Sequence, residues 1–165
     1  MTDTEARQRW VVDHLDLRGT ERVLEFGCGP GVAAALAAGR LARGSLLAVD
    51  RSPVAVARAR ARIGDVPHAT IEQTALADLS TPEPFDVAFG VDVNVFWTGT
   101  AHAECDALAR LLRPGGRLAL CFSLGPTGAD RIVPRVRAAL AGHPFTEPTV
   151  SEGPGLLAVD AVRRP

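Results

Sequence analysis

The 165 residues carry a net charge of −1, with 47% hydrophobic and 22% charged residues, the size and composition of one globular domain able to bury a core without disulfides or a metal. Near-neutral charge supplies no global field for nucleic acid or an anionic membrane, and the widely spaced Cys28, Cys105 and Cys121 fit neither a disulfide scaffold nor a zinc site. The opening MTDTEARQRW is polar and acidic, so neither signal peptide nor membrane span is expected, and a cytoplasmic protein is.

Trp10, Val11, Val12, Leu15 and Leu17 recur at helical spacing, which predicts an amphipathic helix from about Glu5 to Asp16. The apolar run Arg22 to Phe26 meets a glycine cluster and predicts a buried strand ending in a turn. Val32 to Leu41, rich in alanine and leucine, predicts a helix packed on a sheet, broken by Gly44. Ser45 to Val49 is the next strand and ends at Asp50. Ser52 caps the following helix, Pro53 takes its first position, and Gly64 stops it after Ile63. Further strands are predicted at His68 to Gln73, Asp86 to Val91 and Arg117 to Phe122. The segment Asp92 to Gly99 precedes a helix through Leu112, and Pro114-Gly115-Gly116 reads as a tight turn. A helix over Asp130 to Ala141 leads to a strand near Thr149 and another at Leu156 to Val162, joined as a hairpin through Glu152 to Gly155. Continuous apolar strands alternating with helices of about ten residues are the pattern of βαβ units around a mostly parallel sheet, here as a single domain over residues 1–165.

The sharpest motif is Glu25-Phe-Gly-Cys-Gly-Pro-Gly31, set between a strand and a helix. Gly27 permits a sharp turn, Gly29 lets a ligand approach the backbone, and Gly31 opens the helix. The spacing G-x-G-x-G departs from the dinucleotide pattern G-x-G-x-x-G, and with no lysine in the chain it is no ATPase phosphate loop. A nucleoside without phosphates fits better. Asp50, nineteen residues beyond Gly31 at a strand end, can accept two hydrogen bonds from ribose hydroxyls; its bland alternative is a helix-capping or solvent-facing carboxylate.

These pieces, with Phe85-Asp-Val-Ala-Phe89 and Leu111-Leu-Arg-Pro-Gly-Gly-Arg-Leu-Ala-Leu120, make the chain resemble the class I S-adenosylmethionine-dependent methyltransferases. The resemblance implies a Rossmann-like, seven-stranded, mostly parallel sheet with helices on both faces and an antiparallel C-terminal edge hairpin. It implies S-adenosylmethionine as cofactor, held by the turn residues Glu25, Gly27, Cys28, Gly29 and Gly31, by Asp50 on the ribose and Arg51 beside the adenine, and by Ala75, Leu76 and Gly90. Glu25 faces the methionine amino group. Where the family often has an acidic residue for the adenine amino group this chain has Ala75, with Asp78 three residues on; the Leu76 N–H is a substitute donor to the ring. The N-terminal segment 1–20, with Trp10, is expected to cover the cofactor.

Methyl transfer is an in-line displacement that needs a nucleophile held opposite the sulfonium. Gly90 to Trp97 is expected to wall the acceptor side. If it is extended, Asp92, Asn94 and Phe96 share one face, and Asp92 with Asn94 are the candidate catalytic pair, orienting a nucleophile and taking its proton. The competing role for Asp92 is a helix cap. No spacing pairs His14, His68, His102 or His143, so no metal is expected. The basic stripe Arg58, Arg60, Arg62 reads as a solvated helix face. A small-molecule acceptor suits the short chain. A macromolecular acceptor, cofactor binding without catalysis, and a nicotinamide enzyme remain as other readings, and the oligomeric state stays open, a homodimer included.

Overall fold

The computed structural model describes residues 3–126 and 128–165. Its strands are β1 (Arg22–Phe26), β2 (Ser45–Asp50), β3 (Ala69–Gln73), β4 (Phe85–Val91), β5 (Leu112–Ser123), β6 (Thr149–Gly153) and β7 (Leu156–Val162). They form one sheet in the order β3-β2-β1-β4-β5-β7-β6. β1 to β5 run parallel, while β7 is antiparallel to both β5 and β6. The apolar runs predicted as strands are buried because helices cover both faces, as an all-parallel ladder requires.

The helices are α1 (Asp3–His14), α2 (Val32–Ala38), α3 (Pro53–Ile63), α4 (Val95–Thr98), α5 (His102–Leu111) and α6 (Ala129–Leu140), with a 3-10 turn at Leu76–Asp78. Strand residues alternate between two cores. Leu24, Phe26 and Ala88 point to the face covered by α5, α6 and Phe96. Val23, Val87 and Phe89 point to the face covered by α1, α2 and α3. α2 contributes only alanines to its buried side, Ala33, Ala34, Ala37 and Ala38, so it lies close to the sheet. Ser52 caps α3 by accepting the Ala55 N–H at 3.3 Å, with Pro53 opening the helix as predicted.

Three local expectations are corrected. The helix predicted to Leu41 stops at Ala38, where Gly39 and a tight turn take over. Pro114-Gly115-Gly116 is a bulge inside β5: Phe85 pairs with Leu112 but Val87 with Arg117, and the intervening residues loop out. The segment after β4 is not extended. It folds into the short helix α4, which carries Phe96 into the core, fully buried, with its ring 5.9 Å from that of Phe26.

The lower end of the sheet is tied by Asp86, which accepts the Arg22 N–H at 2.8 Å and the Arg113 guanidinium on the bulge. Burial acts to raise its pKa, but the Arg22 N–H and the Arg113 side chain outweigh it, and the net value lies below the usual 3.8. A carboxylate lowered in the fold stabilises it above the unfolded pKa and loses that contribution as pH falls through the folded one. Asp86→Asn is therefore expected to cost about 1–2 kcal/mol at pH 7. The loss should shrink to nothing in urea titrations taken well below pH 3.8; a penalty equal at both pH values would remove the charge from the account.

Candidate active site

The strand order reverses between β1 and β4, because the chain leaves β1 toward β2 and β3 on one side and returns through β4 on the other. At such a reversal the carboxyl ends of the strands open into a crevice that no crossover helix fills. A cleft of ≈ 650 Å³ lies there, lined by residues that include Phe26, Gly27, Asp50, Arg51, Thr74, Ala75 and Leu76 on one side and Asp92, Val93, Asn94, Thr98 and Glu104 on the other.

Of the glycine turn Gly27 lines the cleft, while Glu25, Cys28, Gly29 and Gly31 are not among its lining residues. Gly27, Gly29 and Gly31 all have positive φ, at 63°, 52° and 77°, a region open to glycine and costly for other residues. The Cys28 N–H donates to the Val49 carbonyl at 3.0 Å and the Gly29 N–H to Asp50 Oδ2 at 2.9 Å, so the end of β2 holds the turn. Arg62 donates to the Pro30 carbonyl at 2.9 Å and Arg60 to the Ile71 carbonyl. The basic stripe on α3 thus has two of its three guanidinia fastened to neighbouring backbone.

The glycines do different work. A Cβ on Gly29 would meet nothing within 4 Å, so within the fold its φ is what constrains it. A Cβ on Gly31 would fall 2.8 Å from the Ala59 Cβ and 2.9 Å from its Cα, so Gly31 sets the approach of α2 to α3. A Cβ on Gly90 would fall 2.3 Å from the Phe26 ring. Gly90 makes room for Phe26, a cleft residue, and does not line the cleft itself.

Asp50 both builds and faces the site. Its Oδ1 accepts the Ser52 N–H at 2.9 Å, as Oδ2 accepts that of Gly29. A carboxylate has about four acceptor positions, so two remain. Glu25 lies beneath the turn, 2% exposed, and its Oε2 has no hydrogen-bond partner. Burial, with a smaller contribution from the Asp50 charge, pushes its pKa well above 4.5. A buried acceptor without a donor is costly, and a cation or donor entering near the turn would relieve it. Cys28 is buried against α2 and α3. Burial, then the charges of Glu25 and Asp50, push its thiol up to about 12, so it is an inert filler. Leu76 opens the 3-10 turn, where the first N–H groups have no partner within the turn. Asp78 is exposed and is not among the residues lining the cleft.

On the opposite wall Asp92 adopts φ 55°. Its Oδ1 accepts the Ser123 N–H at 2.6 Å and its Oδ2 the Ser123 Oγ–H at 2.8 Å. It tethers the end of β4 to the end of β5 rather than capping a helix. Asn94 is the residue at the N-cap of α4, and its Oδ1 accepts the Trp97 indole N–H at 3.0 Å. Both predicted residues line the cleft, but Phe96 does not share their face. Glu104, Thr74 and Thr98 line it too and were not predicted. A signal for Glu104 existed, since the first turn of a helix that follows a parallel strand is near the carboxyl end of the sheet.

Two expectations away from the cleft also change. Trp10 stacks on His14 at 5.0 Å and fills the space over Gly153, and among the described residues none of the cleft lining comes from α1. His102 and His143, unpaired by spacing, are brought together with Asp106.

A family profile described as "Methyltransferase domain" matches residues 23–116. The chain is 33% identical over 134 residues to a trans-aconitate 2-methyltransferase of Methylobacterium nodulans, covering 81% of this chain and 49% of that one. It is 35% identical over 125 residues to a protein-L-isoaspartate O-methyltransferase of Methylorubrum populi, covering 74% and 54%. It therefore spans about half the length of the curated relatives it matches. The crystal structure of the N-methyltransferase NodS from Bradyrhizobium japonicum WM9 in complex with S-adenosyl-L-homocysteine superposes with a TM-score of 0.72 at 21% identity, covering 94% of this chain and 85% of that one.

The division of labour among the glycines is measurable. Gly29→Ala should lose about 1–2 kcal/mol in urea unfolding, the cost of a side chain at positive φ. Gly31→Ala adds the overlap with Ala59 and should lose about 2–4 kcal/mol. Equal losses would mean that α2 and α3 can separate without cost.

Proposed function

The chain belongs to the methyltransferase domain family, and from that premise we propose that it transfers a methyl group from S-adenosylmethionine to a small-molecule acceptor in the cleft. The observation that carries this reading is the pairing of a glycine turn with two acidic groups of different character. Asp50 has acceptor positions left for ribose hydroxyls. Glu25 has a buried, unpartnered oxygen suited to an ammonium group, directly or through water. Arg51 and Ala75 line the adjoining wall, and the Leu76 N–H is available to an adenine ring. These residues fit the cofactor. Bound there, it supplies an electrophilic methyl group for in-line displacement.

On the acceptor side, Asp92 is the group best placed to orient a nucleophile and take its proton, while Asn94 braces the same wall. Ser123 occupies one position on each Asp92 oxygen and fixes the carboxylate in place. Glu104 adds a second acidic group to that side. Such a wall favours an amine or hydroxyl acceptor over an acid, because a carboxylate there would meet like charge. The near-neutral net charge argues against a nucleic-acid acceptor. Among the described residues no helix is long and apolar enough to cross a membrane.

Two cofactor-side variants test the reading by calorimetric titration with S-adenosylhomocysteine. Asp50→Ala should weaken binding by about 1.5–3 kcal/mol; an affinity within twofold of the parent sinks the ribose assignment. Glu25→Gln separates stability from function. Its carboxyl is raised in the fold, so the stability it contributes is fully present below the unfolded value near 4.5 and is lost as pH rises through the folded one. Glu25→Gln should therefore melt higher than the parent at pH 7, match it near pH 4, and bind the nucleoside more weakly. Tighter or unchanged binding would contradict the ammonium role.

For the acceptor side, a metabolite screen must first supply a substrate. Asp92→Asn is then expected to lower kcat roughly 10²-fold with cofactor affinity little changed. Ser123→Ala, which loosens the tether but keeps the carboxylate, should cost far less. If the two variants slow the reaction equally, Asp92 is a tether and no base.

A further inference from the structure

α5 carries a cluster that the cleft does not use. His102 and Asp106 are four residues apart on that helix and so share a face. His143 arrives from the turn after α6, where Gly142 at φ 85° bends the chain. Its backbone is held on three sides. The N–H donates to Leu140 at 3.2 Å, and the carbonyl accepts from the Phe145 N–H at 2.8 Å and from Arg164 Nη2 at 3.2 Å. The His143 Nδ1 lies 3.2 Å from Asp106 Oδ1, and the His102 Nε2 lies 3.7 Å from Asp106 Oδ2. The two imidazole rings are 5.0 Å apart. One donor atom from each of the three residues lies within 4.8 Å of the others.

We propose that His102, Asp106 and His143 form a binding site for a divalent metal of the zinc type. Imidazole nitrogen with carboxylate oxygen is the donor set that suits zinc, cobalt, nickel and copper rather than magnesium or calcium. A tetrahedral zinc bound at about 2.0–2.2 Å needs its donors roughly 3–3.5 Å apart. Asp106 Oδ1 and His143 Nδ1, at 3.2 Å, are already at that spacing, and the remaining separations, none above 4.8 Å, must close by about 1 Å. The movable partners make this feasible: His102 and Asp106 are 77% and 59% exposed at their side chains, whereas His143, at 7%, is the fixed point. Three protein donors leave a fourth position for water or a ligand.

A metal here would fasten the first turns of α5 to the segment after α6. Cys105 makes a weaker link of the same sense, donating to the Ala139 carbonyl at 3.4 Å. The first turn of α5 also carries Glu104 to the cleft, so an ion in this site would stiffen one wall of it. The site stands apart from the methyltransferase reading and neither needs it nor supports it.

The test uses the full chain, free of any histidine tag and stripped with a chelator. Calorimetric titration with zinc chloride should show uptake of about one equivalent per chain with a micromolar Kd or tighter. Cobalt(II) should give a visible d–d spectrum of a four- or five-coordinate nitrogen and oxygen site. His102→Ala and Asp106→Asn alter exposed side chains and should keep the parent circular dichroism while weakening zinc binding at least about tenfold. His143→Ala should do the same but is not relied upon, because that side chain is buried. No saturable zinc uptake by the parent, or uptake that His102→Ala and Asp106→Asn leave within twofold, overturns the proposal and reduces the cluster to a surface ion pair.

Discussion

β1 has a parallel neighbour on each side, β2 and β4, and the chain winds outward from it in opposite directions. That constraint leaves the carboxyl ends of these strands uncovered, because each crossover helix packs on a face of the sheet and none closes the reversal. The glycine turn, Asp50 at the end of β2 and Asp92 after β4 all stand at that edge. Their nearness in space follows from the winding of the sheet, although they are 42 residues apart in the chain between Asp50 and Asp92.

Two acidic groups beside one glycine turn are costly for the fold. Asp50 offsets its cost by accepting two backbone N–H groups, which at the same time shape the turn. Glu25 has no such compensation on Oε2, and its raised pKa is the sign of that. A buried polar atom left without a partner is uncommon in folded proteins; among the described residues Arg7 Nε and Arg22 Nε are the other such side-chain atoms. The fold by itself therefore disfavours the ionised form of this carboxyl.

The two walls of the cleft differ in how they are built. The wall that carries Gly27, Asp50 and Ala75 is made of strand ends and turns, held in place by the Asp50 carboxylate. The opposite wall is made of residues 92 to 94 after β4, of the short helix α4 and of the first turn of α5. Relatives of this chain carry names that include both a small-molecule and a protein methyl acceptor.

What the sequence determined by itself was local and periodic. Apolar runs marked β1, β2, β4 and β7, Ser52-Pro53 and Gly64 marked the ends of α3, and Gly27 to Gly31 marked the turn, because each signal depends on neighbours within a few residues. Asp50 was legible for the same reason: its distance from the turn is one βαβ unit. Short-range signals failed where a distant partner decided the outcome. Residues 95 to 98 became a helix because Phe96 finds a place against Phe26 in the core, which no alternation of residues after β4 encodes. The bulge at Pro114 shows only in the register of β5 against β4, where Arg113 reaches Asp86 on the neighbouring strand. His102, Asp106 and His143 met only because α5 and the turn after α6 pack on the same face. Periodicity reports which side of an element is buried; which elements then lie against each other is decided by packing the two faces of the sheet, and that information is spread over the whole chain.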